Sequence, residues 1–243
     1  MPEIIAERYR IGEPFFALFL RFMKIVSMRA GTREASRREG SIVCVTTLKE
    51  HRERVQSCSI CFPSGCNAPV VDLPKRAGIL LVGQAPGATE VTTRLPFTGP
   101  AGKRLMGWFE RAGLSREEVY LSALCRCFPG KARGGGDKVP SRAMIQACRP
   151  HLSRELQILR PRIIVPVGGL AIKELLGIGR LSDAVGKAFR RDGLVYIPLP
   201  HPSGASTWLN IPENKDRLGR ALSTLREKAA ALRLDKETGA VEV

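Results

Sequence analysis

Histidine is scarce in this sequence: 243 residues hold His51, His151 and His201 and no others. Any imidazole chemistry must therefore rest on one of these three. No apolar run is long enough to span a membrane. The best candidate, Pro14 to Val26, is broken by Arg21 and Lys24 and is too short. No secretory signal is visible, and the cysteine count, seven, is odd. A disulfide scaffold is thus not expected, and free or metal-bound cysteines in a reducing cytoplasm are. There is no internal repeat. Acidic residues are also few, 23 against 39 Lys and Arg, a net charge of +16.

That deficit of acid is spread along the chain. From Gly102 to Asp192 there are 18 Lys+Arg and 8 Asp+Glu. A basic folded region favours a polyanionic partner, nucleic acid first. The length accommodates one α/β domain of about 200 residues with a sizeable core, plus tails. Residues 1–49 are expected to be an N-terminal extension, helical or partly disordered, with Phe15, Phe16, Phe19 and Phe22 crowded together and a basic, linker-like run from Arg29 to Arg38. The folded domain is expected over 50–235, with a short tail at 236–243.

The chain is organised around Ile79-Leu80-Leu81-Val82-Gly83-Gln84-Ala85-Pro86-Gly87, a short buried strand ending in a tight turn. Leu105, Trp108, Phe109 and Ala112 then recur at helical spacing, with Gly113 as the stop. Val119 to Leu124 is a second strand. A glycine-rich basic loop runs from Lys131 to Lys138, and Ser141 starts a helix carrying Cys148. Pro161 to Gly168 is a third strand, followed by a helix through Leu176. Leu194 to Pro200 is a fourth, and a last helix covers Lys215 to Leu234. Strands alternating with helices predict a parallel sheet covered on both faces.

Two constellations carry chemistry. Cys58-x-x-Cys61 places two thiols on one turn, while Cys127 follows a strand and Cys148 lies in a helix. Four thiolates suit a cubane iron–sulfur cluster, with a structural zinc as the alternative. Cys125 competes with Cys127, and Cys44 and Cys66 are left over. The second constellation is a pair of turns, Gly83 to Gly87 and His201-Pro202-Ser203-Gly204, each following a buried strand. In a parallel sheet both fall at one edge, where open α/β sheets bind ligands. Pro200 and Pro202 stiffen the backbone around His201, as a fixed donor requires.

Taken in order, Cys58-x-x-Cys61, Leu81 to Gly87, Leu95-Pro96-Phe97-Thr98-Gly99-Pro100-Ala101-Gly102, Cys127-Phe-Pro-Gly130, Cys148-Arg149-Pro150, Pro166-Val-Gly168 and His201-Pro202-Ser203 resemble the uracil-DNA glycosylase superfamily, most closely its bacterial and archaeal iron–sulfur branches. The resemblance implies a three-layer α/β/α sandwich with a four-stranded parallel sheet, and a [4Fe–4S] cluster held by Cys58, Cys61, Cys127 and Cys148. It implies excision of uracil from DNA; other deaminated bases are further candidate substrates, and a monomer is expected. Gly83, Gln84, Ala85, Pro86 and Gly87 would line the uracil pocket and position water, and Phe97 would stack on the flipped base. His201 would stabilise the leaving anion, with Ser122 and Ser203 lining the substrate site. The loop after His201 would enter the minor groove; Leu209 or Trp208 is a candidate wedge, and packing of Trp208 on the core beneath the loop is the favoured alternative. The sequence departs from the family at Gln84 and Pro100, where branches carry carboxylates, and at Ser122 and Ala123, where many members carry asparagine. These departures leave the water-activating group unassigned, with Glu90 and Asp72 as further acids nearby. They also keep a second reading open, a non-catalytic binder of damaged or single-stranded DNA.

Overall fold

The computed structural model describes residues 47–62, 68–204 and 206–237. The N-terminal extension up to residue 46, Cys44, Cys66 and the tail beyond residue 237 lie outside the described residues.

Helix α1 (Leu48–Gln56) opens on a capping box, with Thr47 Oγ1 accepting from the Glu50 N–H at 3.2 Å and Glu50 Oε2 accepting from the Thr47 N–H at 3.1 Å. Strand β1 (Ile79–Gly83) leads through helix α2 (Ala88–Thr93) and helix α3 (Pro100–Arg111) to strand β2 (Val119–Ala123). Helix α4 (Arg142–Leu159) begins at the predicted cap, the Ser141 hydroxyl accepting from the Met144 N–H at 3.2 Å. Strand β3 (Ile163–Pro166), helix α5 (Gly169–Leu176), helix α6 (Leu181–Ala184), strands β4 (Phe189–Arg191) and β5 (Leu194–Tyr196), and helix α7 (Pro212–Glu237) complete the order.

The strands form one sheet in the order β2-β1-β3-β5-β4. β1 runs parallel to β2 with Gly83 opposite Ala123, and parallel to β3 with Val82 opposite Pro166. Every residue of β1 and β3 is buried. A strand buried on both faces needs apolar cover on both, which is why these segments read as unbroken hydrophobic runs. Leu105 and Phe109 of α3, Ile172 of α5 and Leu225 of α7 belong to the same core as Leu80 and Ile164.

The sheet corrects one expectation. Four strands are parallel as the sequence predicts, but a fifth, β4, pairs antiparallel with β5 at the edge. Its residues Phe189-Arg190-Arg191 are half-buried or exposed and show no buried apolar run. The missed signal was Asp192-Gly193. Both residues take positive φ, 52° and 77°, the left-handed pair of a two-residue hairpin turn. The fourth parallel strand is also shorter than expected, although Leu199 rejoins the sheet through a bridge to Val167.

Strand order fixes where a ligand can sit. From β1 the chain leaves toward β2, and from β3 it leaves toward β5, in opposite directions. The crevice between the carboxyl ends of β1 and β3 is therefore the switch point of the sheet.

The start of α3 is packed tightly against the segment before it. A Cβ on Gly102 would collide with the Phe97 carbonyl. Gly102→Ala is expected to lower unfolding free energy by about 1–3 kcal/mol, as overpacking does. Urea denaturation with an unchanged m-value is the check.

Candidate active site

The turn after β1 is fastened from several sides. The Gly83 and Gln84 carbonyls accept from the Leu124 and Cys125 N–H groups at 2.9 and 3.1 Å, so the β1–β2 ladder continues past the strand ends. A buried carboxylate holds the turn's far end. Glu90 Oε2 accepts from the Gly87 N–H at 3.0 Å, and Glu90 Oε1 accepts from the Gly99 N–H at 2.9 Å. One side chain thus ties the turn of Gly83 to Gly87 to the start of α3. Its position was legible as an acid three residues after a turn glycine, the place that reaches back to a helix N-terminus. Asp72, by contrast, is spent elsewhere. Its carboxylate takes Arg116 at 2.6 Å, Lys75 at 3.1 Å and the Leu121 N–H at 2.9 Å, which locks the strand-leading segment to β2.

Phe97 lies between these fixed points. Its φ of 57° is in the left-handed region, which a phenylalanine adopts only when its surroundings hold it there. The ring lies over the end of β1, so a Cβ at position 83 would approach Phe97 Cζ to 2.8 Å. Glycine at 83 is thus required by close approach of an aromatic ring, which sets Phe97 beside the carboxyl end of β1.

His201 comes from the other side of the crevice. The Gly168 N–H donates to the Leu199 carbonyl at 2.9 Å, which sets the histidine turn beside the end of β3. Gly168 has φ of 88°, and a Cβ there would come within 3.2 Å of His201 Cδ2. The Ser203 N–H donates to His201 Nδ1 at 3.2 Å. Nδ1 is therefore an acceptor, and the neutral ring carries its proton on Nε2. Burial lowers the His201 pKa from its ordinary 6.5, with Asp137 pulling it partly back up. The result is a neutral imidazole with an Nε2–H donor. Arg104 Nη1 donates to the Ser203 carbonyl at 3.0 Å and ties the same turn to α3.

Other predicted residues fall in different places. The Ser122 hydroxyl lies 2.7 Å from Glu155 Oε2 in a buried network, although its carbonyl is near the Gly83 end of β1. Glu155 also takes Arg126 Nη2 at 2.6 Å and lies 3.6 Å from His51 Nε2. Burial alone would raise the Glu155 pKa, but Arg126, His51 and Ser122 outweigh it and hold it low. Trp208 and Leu209 are half-buried and pack on the main core, and the Trp208 carbonyl accepts from Asn214 Nδ2 at 2.9 Å. Trp208 thus packs beneath the loop.

The thiols gather next to the turn. Cys58, Cys61, Cys127 and Cys148 line one small pocket together with Val55, Arg126 and His151. Cys125 does not line it. It packs with Cys127 and Cys148, and Ala85 of the turn packs against the three. A hydrogen bond from Cys125 is the main cause of a lowered Cys148 pKa. The Arg126 N–H, 3.4 Å from Cys148 Sγ, adds to it. Burial pushes Cys127 up to about 12 and raises Cys61. Among the described residues, no three His, Cys, Asp or Glu side chains are arranged to hold a metal ion as they stand. As a donor set the pocket suits a thiolate-ligated group: four thiols line it, and one already receives a backbone N–H bond of the kind that supports such ligands.

Comparison with known proteins gives the chain a family. The family model "Uracil DNA glycosylase superfamily" matches residues 71–226. A type-4 uracil-DNA glycosylase of Pyrobaculum aerophilum is 31% identical over 150 residues, covering 59% of this chain and 74% of the relative. One from Sulfurisphaera tokodaii is 30% identical over 195 residues, covering 75% and 85%. One from the bacterium Thermotoga maritima is 30% identical over 156 residues, covering 62% and 79%.

The neutral His201 has a direct check. In ¹⁵N NMR its ring should show the Nε2–H tautomer at pH 7 and a titration midpoint below the ordinary 6.5. Protonation leaves the Nε2–H in place but takes Nδ1 from the Ser203 N–H, so the turn keeps its hold on the ring as pH falls through 6.5 and loses it only below the lowered midpoint. The acid limb of any activity should follow that midpoint.

Proposed function

This chain belongs to the uracil DNA glycosylase superfamily, and on that premise we propose that it hydrolyses the N-glycosidic bond of uracil in DNA and so initiates base excision repair. The observation that carries the proposal is His201. An imidazole whose Nδ1 accepts from the Ser203 N–H lies beside Gly168 past the end of β3, at the sheet edge where the Phe97 ring lies beside Gly83. Breaking the glycosidic bond of a deoxynucleotide builds cationic character on the sugar and negative charge on the departing base. A fixed donor in a half-buried crevice, aimed at that negative charge, stabilises the transition state by about 3–4 kcal/mol. Phe97 offers a stacking surface for a base taken out of the helix. Gly83, Ala85, Pro86 and Gly87 shape the wall and keep water ordered, and Gln84 orients a water without deprotonating it. Ser203 acts through its N–H, which fixes the His201 tautomer. The net charge of +16 supports DNA as the partner, because phosphate contacts offset the cost of extracting a base.

Cys58, Cys61, Cys127 and Cys148 would hold a [4Fe–4S] cluster in this reading. It supplies a structural tie beside the active-site turn, and no proton. The pocket shared by these residues favours Cys127 over Cys125 as the third ligand. Cys125 then acts as a hydrogen-bonding neighbour. A cytoplasmic, reducing setting suits a chain whose described cysteines are all free.

The purified protein should remove uracil from U·G, U·A or single-stranded oligonucleotides, leaving alkali-labile abasic sites. Its absence on all three with folded protein would overturn the proposal. His201→Ala should slow single-turnover excision by roughly 10²–10³-fold. Gln84→Ala should cost about 1 kcal/mol of transition-state stabilisation, roughly 5-fold. The second reading, a non-catalytic binder, draws on Gln84 and Pro100 standing where family branches carry carboxylates. It predicts retarded DNA on a gel and no free base. The protein should be brown, with iron and acid-labile sulfide, and a colourless protein with stoichiometric zinc would contradict the cluster.

A further inference from the structure

A carboxylate of the glycine-rich loop lies against the end of the turn after β1. We propose that Asp137 is the catalytic carboxylate of this enzyme and accepts the proton of the attacking water. The inference rests on the glycosylase reading above and deepens it.

Gly87 has φ of −92° and ψ of −177°, an extended conformation open to any residue. Backbone freedom therefore does not explain the glycine. Space does. A Cβ at 87 would lie 2.8 Å from Asp137 Oδ2 and 2.9 Å from Glu90 Oε2. Two carboxylates thus flank the end of the turn, and their roles differ. Both oxygens of Glu90 already accept backbone N–H groups. Asp137 commits Oδ1 to Lys131 Nζ at 2.6 Å, and turns Oδ2 toward Gly87. Asp137 also raises the His201 pKa against the lowering by burial, so the two side chains lie within electrostatic reach of one another.

The loop is built to present this group. Lys131 and Asp137 form an antiparallel bridge. The Lys138 N–H donates to the Gly130 carbonyl at 2.9 Å, and the Ala132 N–H to the Gly136 carbonyl at 3.1 Å. Lys131 Nζ sits 5.8 Å over the Phe128 ring, which anchors the hairpin one residue past Cys127. The Asp137 side chain is 40% exposed, so the loop can deliver the carboxylate to a bound nucleotide without carrying an isolated charge through the core.

The step balances as a hydrolysis. The C1′–N1 bond breaks with its electron pair on uracil, whose anion takes the His201 Nε2–H hydrogen bond. The water oxygen bonds to C1′, and its proton passes to Asp137 Oδ2. That proton then leaves to the uracil anion or to solvent, which restores the carboxylate.

The test is single-turnover excision of uracil by wild type, Asp137→Asn, Asp137→Glu and Lys131→Ala, with thermal melting and abasic-DNA binding on each. Asp137→Asn should be slower by roughly 10²-fold or more, the usual contribution of a positioned base. Melting and abasic-DNA affinity should stay near wild type. Asp137→Glu should recover part of the rate. Lys131→Ala breaks the same ion pair but keeps the carboxylate, so it should lose far less. The inference is overturned if Asp137→Asn stays within about 3-fold of wild type, or if Lys131→Ala reproduces its loss in full. An inactive wild type would instead overturn the glycosylase reading itself.

Discussion

One buried carboxylate holds the carboxyl edge of the sheet together at the candidate site. Glu90 accepts the Gly87 N–H with one oxygen and the Gly99 N–H with the other. Hydrogen bonds to an ionised group contribute about 1.5–3 kcal/mol each, and here they join two turns far apart in function. The first turn lines the crevice at the end of β1. The second opens α3, and the Phe97 ring is held between them in a left-handed backbone that it would not adopt alone. Without Glu90, two backbone donors would lose their partners, and the aromatic wall would lose its reference to the strand.

The thiol pocket extends the same logic below the turn. Ala85 packs on Cys125, Cys127 and Cys148, and the Cys125 N–H donates to the Gln84 carbonyl. The loop bearing Asp137 leaves directly from Cys127. A group bound by the cysteines would therefore bear on both the turn and the loop, through packing and backbone hydrogen bonds. The Glu155–Arg126 pair, with Ser122 and His51, fills the space behind it and joins α1, β2 and α4.

Much of this was legible in the chain. The buried runs at Ile79 to Val82 and Ile163 to Pro166 announced central parallel strands, and Ser141 announced a helix start. The uracil-DNA glycosylase resemblance, carried by short motifs in a fixed order, agrees with the family and relatives found by comparison. What escaped was set by contacts distant in sequence. Strand β4 has no apolar pattern and exists because the Asp192-Gly193 turn folds it onto β5. The side-chain partner of Ser122 depends on Glu155, 33 residues away. Asp137 sits among glycines and basic residues, where composition suggests only a solvated loop. Its meeting with Gly87 depends on the Lys131 hairpin and on the placement of Cys127.

The central claim is that the crevice between β1 and β3 is a uracil pocket walled by Phe97 and served by His201. A crystal structure of the protein with abasic-site DNA and free uracil tests it most directly. The account predicts uracil stacked on the Phe97 ring, with His201 Nε2 at hydrogen-bonding distance from a uracil oxygen. Uracil bound elsewhere, or His201 turned so that Nδ1 faces the base, would contradict it.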